Sequence, residues 1–154
     1  MKQKFIDAHM KVAEVYAQLS SAKRLQVGAI VVKDDRVISI GYNGTPSGWD
    51  NNCEDILYTS PWADELEGGV GVSYTYKTKP EVIHAERNAL DKLAKFGGQG
   101  NGAAMFITHA PCLECAKSIF NTGISAVYYR SAYRETTGVE FLQKCGVSVE
   151  QVKD

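Results

Sequence analysis

The second half of this sequence switches repeatedly between two hydrophobic periods, and few architectures accept that pattern. From about residue 81 apolar positions recur at helical spacing and stop at Gly97-Gly98, where a helix would end near residue 96. A strand-like run follows at "GAAMFIT", then a helix at 112–122, a strand at "SAVYYR", a helix near 136–145 and a short strand at "VSVEQV". Strands joined through helices of this length pair in parallel by right-handed crossovers. The first half reads differently. "LQVGAIVVKDDRVISIGYN" carries Val27, Ala29 and Val31, then Val37, Ser39 and Gly41, with "KDD" at 33–35 between them as a tight turn. β-branched residues fall on both faces of both runs, so this hairpin is expected in a sheet covered on two sides. Phe5, Ala8, Val12, Val15 and Leu19 lie at helical spacing and predict a helix before it. Together these elements predict a three-layer α/β/α sandwich with a mixed five-stranded sheet, an antiparallel hairpin followed by parallel strands.

A chain of 154 residues suits a single domain, 1–154, and shows no internal repeat or linker. Its net charge of −1 and lack of a basic run argue against nucleic acid as a partner. Charges interrupt the N-terminal residues throughout, so they do not read as a signal peptide, and no run is apolar enough to span a membrane. The expected location is cytoplasmic, where thiols stay reduced. The four cysteines are then better read as metal ligands or core than as disulfides. Residues 44–80 lack clear periodicity. They are rich in glycine and proline, with Trp49, Tyr58, Trp62, Tyr74 and Tyr76 among them, and read as a long, at least partly ordered lid or regulatory loop.

Two short motifs carry the chemistry. "HAE" at 84–86 opens one predicted helix and "PCLEC" at 111–115 opens another. Thiolates at a helix N-terminus are favoured by its dipole and free amides, and C-x-x-C spacing aims both at one ion. His84, Cys112 and Cys115 would supply three ligands to a zinc ion, with no fourth Cys or His at suitable spacing. Three protein ligands and an open fourth position describe a catalytic rather than a structural zinc. Glu86 would border the same cavity without binding the metal, as a general base and acid. The plainer alternatives are a buried histidine with two core cysteines, or a redox pair. H-x-E followed by P-C-x-x-C is the combination found in zinc-dependent base deaminases.

With those residues in place the chain resembles the deoxycytidylate (dCMP) deaminases of the cytidine deaminase superfamily, from about residue 5 to 150. Beyond the zinc motif, "VGAIVVKDDRVISIGYNGTPSG", "PCLECAKSIFNTGISAVYY" and "YRETTGVEFLQKCGV" carry the likeness, and "GYNGTPSG" is its most discriminating part. The resemblance implies hydrolysis of dCMP to dUMP and ammonia, supplying dUMP for thymidylate synthesis. Glu86 would move the protons, and the Ala85 backbone would meet the pyrimidine edge. It favours Asn43 as the sugar-hydroxyl partner over a plain turn residue. Ser21, Lys23, Arg24, Tyr133 and Arg134 are the candidates for the phosphate. It further implies a homo-hexamer, with dCTP as activator and dTTP as inhibitor. These effectors would bind at Asn43, Gly44, Pro46 and Gly48, with Mg2+ accompanying a bound triphosphate. Some phage relatives use a loop cysteine for a second zinc. Cys53 is suitably placed, but Leu19, Tyr74 and Val82 stand where its partners should be, so no second zinc is expected. Cys145 reads as core, His9 as surface, and His109 as a loop residue near the pocket.

Two rivals remain at this stage. A tRNA adenosine deaminase would share the fold and the zinc site but needs a basic surface. A structural zinc module would need a fourth protein ligand and would have no use for Glu86.

Overall fold

Asp34 and Asp35 both adopt positive φ, 51° and 59°, the backbone that lets a two-residue turn match the twist of the strands it joins. That turn closes a hairpin of β1 (Gly28–Lys33) and β2 (Arg36–Tyr42). The computed structural model describes residues 1–58 and 73–154. Its other elements are α1 (Gln3–Ala17), β3 (Glu54–Tyr58), β4 (Tyr74–Thr78), α2 (Ala85–Phe96) and β5 (Ala104–His109). α3 (Leu113–Asn121), β6 (Ala126–Ser131), α4 (Thr137–Lys144) and β7 (Ser148–Gln151) complete the chain.

The main sheet has five strands in the order β2-β1-β5-β6-β7. β1 pairs antiparallel with both β2 and β5, while β5, β6 and β7 run parallel. Alternate residues of the central strands feed two separate cores, which is why these strands read as continuous apolar runs. Val31, Met105, Ile107 and Val127 face Ala89, Leu90 and Leu93 of α2, Ala116 and Ile119 of α3 and Leu142 of α4. Ile30, Val32, Phe106 and Tyr128 face Ile6, Met10 and Ala13 of α1. The three-layer α/β/α sandwich follows, α1 alone on one face and α2–α4 on the other.

Two glycines set how closely the helices approach. A Cβ at Gly28 would lie 2.1 Å from the Ala13 carbonyl oxygen, and one at Gly41 would lie 2.3 Å from that of Ala85. The first contact sets which face of α1 lies on the sheet. Ile6, Met10, Ala13 and Ala17 are buried, whereas Phe5, Val15 and Leu19 point outward. Small side chains let α1 lie against Gly28; the larger stripe could not come so near. His9, expected on the surface, packs its ring at 5.2 Å from that of Phe106, which stacks in turn on Tyr128 at 4.7 Å.

Further differences have local causes. β2 is an edge strand, so Val37 and Ile38 are exposed and only its second half is covered. α2 begins at Ala85 rather than near 81, because Ile83 is held extended by a two-way backbone bridge to Gly44. The stretch 44–80 holds a second, two-stranded sheet, β3 with β4. Its residues beyond Glu54 are largely exposed on both sides, so no alternation marks them. Pro61, Trp62, Gly68, Gly69 and Gly71 lie outside the described residues.

Candidate metal centre and active site

Three ligand atoms converge where two helices begin. His84 is the N-cap of α2 and Cys112 the N-cap of α3, both with extended backbone. Cys112 Sγ accepts from the backbone N–H of Cys115, which turns both sulfurs to one side of the helix mouth. His84 Nδ1 lies 3.4 Å from Cys115 Sγ and 3.7 Å from Cys112 Sγ. Zinc bonded tetrahedrally to sulfur and to an imidazole nitrogen would separate the two by about 3.6 Å. The triad therefore fits a zinc ion, and among the described residues no fourth His, Cys, Asp or Glu joins it, which leaves one tetrahedral position open.

The electrostatics agree. Hydrogen bonds from the Cys115 side chain and from His84 pull the Cys112 thiol down to about 4. The same thiolate and burial push the Cys115 thiol well up. The bond to Cys112 also raises the His84 imidazole above its usual range. Without metal the cluster holds protons that a cation would displace. Glu86, in the first turn of α2, is only 5% exposed. Burial pushes its carboxyl up to about 7, against the opposing pull of its own backbone N–H and of His84. A carboxyl poised there can both take and give a proton near neutral pH.

Beside the cluster opens a pocket lined by His84, Ala85, Glu86 and Cys112 and also by Asn43, Arg24 and Tyr133. The Asn43 amide is already engaged: Oδ1 accepts from Val27 N at 2.8 Å and Nδ2 donates to the Leu25 carbonyl at 2.8 Å. One lone pair and one amide hydrogen remain for a ligand.

The sequence profile of the cytidine and deoxycytidylate deaminase zinc-binding region matches residues 3–131. The chain belongs to the cytidine and deoxycytidylate deaminase family. It is 37% identical over 145 residues to ComE operon protein 2 of Bacillus subtilis, covering 94% of this chain and 69% of that protein. With the mouse deoxycytidylate deaminase it shares 36% identity over 140 residues, 88% of this chain and 71% of the mouse protein. The crystal structure of dCMP deaminase from the cyanophage S-TIM5 in complex with dCMP and dUMP superposes with a TM-score of 0.83. That pair is 44% identical over 99% of both chains. The protein is thus a deaminase with the cytidine deaminase-like fold, and the reading as a non-enzymatic zinc module falls.

The remaining sequence candidates of this deaminase separate in space. Ser21, Lys23 and Arg134 are not among the pocket-lining residues. Ser21 lies in a neighbouring groove with Gly44, Pro46, Gly48, Asn88 and Lys92, its Oγ 3.4 Å from Cys53 Sγ. Lys23 sits 5.9 Å from the Tyr76 ring, and Arg134 is exposed. The loop around residues 20–24 bends between these positions, so neighbours in sequence face different cavities. Cys53 is buried with Ala22 and Val82, and Cys145 packs against the main core. His109 is the last residue of β5 and lines the pocket, with Nδ1 3.1 Å from Thr108 Oγ1; burial lowers its pKa. Glu54 and Thr78 also line the deaminase's pocket. No sequence signal pointed to them, because both sit in the stretch without period. Among the described residues no helix is long and apolar enough to cross a membrane.

Proposed function

We propose that the protein hydrolyses dCMP to dUMP and ammonia. The observation that carries this reading is the His84–Cys112–Cys115 cluster with Glu86 buried beside it, in a pocket that Arg24 and Tyr133 also line. The cyanophage enzyme that superposes on 99% of the chain is described in complex with dCMP and dUMP.

His84, Cys112 and Cys115 would hold a zinc ion, which would supply the Lewis acidity that makes water acidic enough to react near neutral pH. Glu86 takes a proton from the water that adds at C4 of the cytosine and delivers one to N3. It then takes the remaining proton of the new C4 hydroxyl and passes it to the amino group, so that the C4–N bond breaks, the C4 carbonyl forms, and water and dCMP leave as ammonia and dUMP. Its burial suits it to both directions of transfer. The Ala85 N–H, in the first turn of α2 and without a helical acceptor, is available to the pyrimidine edge. Asn43 offers its free lone pair and amide hydrogen to a sugar hydroxyl. Arg24 and Tyr133 hold the phosphate, a guanidinium and a phenol suiting an anion.

Control by dCTP and dTTP belongs to the groove of Gly44, Pro46 and Gly48, which shares Asn43 with the pocket and includes Lys92. A triphosphate there would bring Mg2+ with it. The outward Phe5 and Val15 of α1, with Leu19 just past its end, are exposed apolar side chains of the kind that self-association into a hexamer would cover. A reducing cytoplasm would keep the two zinc-ligand thiols free. The test is a substrate panel of dCMP, dCTP and deoxycytidine on the zinc-loaded protein, with and without dCTP and dTTP. Preference for the monophosphate is expected; preference for deoxycytidine would overturn the phosphate assignment.

A further inference from the structure

Glu54 is a carboxylate with a surface residue's identity and a core residue's burial, at 4% exposure. It opens β3, at the base of the two-stranded sheet, and lines the pocket. Oε1 accepts from two successive backbone amides, Lys23 N at 2.8 Å and Arg24 N at 3.2 Å. Oε2 is buried and has no partner. Burying a carboxylate with one oxygen unpaired is costly, and an apolar side chain would avoid that cost. What the acid gains is a pair of charge-assisted bonds that fix the backbone of residues 23 and 24. Its neighbour Cys53 meets Ser21 at 3.4 Å, and Lys23 lies over Tyr76 of β4, so the loop rests on the β3–β4 sheet along its length.

We infer that Glu54 is a positioning residue for substrate recognition: it clamps the Lys23–Arg24 backbone so that the Arg24 side chain meets the phosphate of the nucleotide. The inference rests on the assignment of Arg24 to the phosphate. Glu54 does not touch the reacting ring in this scheme; it acts through Arg24. Losing a held orientation weakens binding of the group being held and leaves the bond-making step less affected.

The experiment compares kcat and KM for dCMP and deoxycytidine in the zinc-loaded wild type, Glu54→Ala, Glu54→Gln and Arg24→Ala. Glu54→Ala should lower kcat/KM for dCMP about tenfold more than for deoxycytidine, through KM rather than kcat. Glu54→Gln, which keeps an oxygen to accept both amides, should recover most of that preference. Arg24→Ala should lose the preference although Glu54 is still in place. Equal losses on the two substrates in Glu54→Ala would mean a general structural role and overturn the inference. So would an undiminished dCMP preference in Glu54→Ala while Arg24→Ala loses it, with the phosphate assignment left standing. No change of preference in Arg24→Ala would remove that assignment and this inference together.

Discussion

The Nδ1 of His84 stands 3.4 Å from the Sγ of Cys115, although 31 positions of sequence separate the two residues. Two helix starts must meet for that contact to form, and it couples the metal centre to the packing of α2 and α3.

Replacing Cys115 by Ser should abolish stoichiometric zinc and turnover together, because two remaining ligands cannot hold the ion as three do. Zinc binding to the metal-free wild type should release roughly one proton or more at pH 8, since Cys115 is held protonated by Cys112. Metal analysis of the variant and calorimetry in buffers of different ionisation heat check both outcomes. A variant with full zinc occupancy would contradict the ligand set.

Glu86→Gln should keep zinc and lose roughly two to four orders of magnitude in turnover, the usual worth of a general acid–base. Its effect on the metal-free protein has the opposite sign. The folded carboxyl titrates at about 7 against an ordinary 4.5. Its neutral form therefore favours folding fully below about pH 4.5, and that support is lost as pH rises through about 7. The melting temperature of metal-free Glu86→Gln should match wild type near pH 4.5 and exceed it increasingly toward pH 8. The difference is bounded at about 3 kcal/mol by a shift of this size. Parallel pH curves would sink the claim that burial governs this group.

Gly41→Ala should disturb the site through the fold. The new methyl would stand 2.3 Å from the Ala85 carbonyl oxygen and 2.6 Å from the Ala89 amide nitrogen, both rigid helical backbone. α2 must shift, carrying Ala85 and Glu86 with it. A loss of about 1–3 kcal/mol in urea unfolding is expected, with a larger fractional fall in kcat than in zinc content.

Phe106→Ala should cost about 3–5 kcal/mol in denaturant unfolding. The ring is fully buried between His9 and Tyr128 on the face of the sheet opposite α2. Zinc affinity at the other face should change far less, which a competitive chelator titration would register.

Local chemistry in the sequence determined the kinds and order of most elements. The Asp34-Asp35 turn, the Gly97 stop and the change of period after residue 81 are all set by backbone conformations and hydrophobic spacing within a few residues. The candidate zinc triad was equally legible, because helix-mouth Cys-x-x-Cys and His-x-Glu are short-range patterns. Which face of α1 is buried was decided only in three dimensions. Two stripes competed, and the one with Ala13 and Ala17 lets the helix approach Gly28. Tertiary structure likewise separated Ser21 from Arg24, placed His109 at the pocket wall and buried Glu54 under the loop it holds. A side chain's surroundings at such places depend on segments far away in sequence, and no local period encodes where those segments will lie.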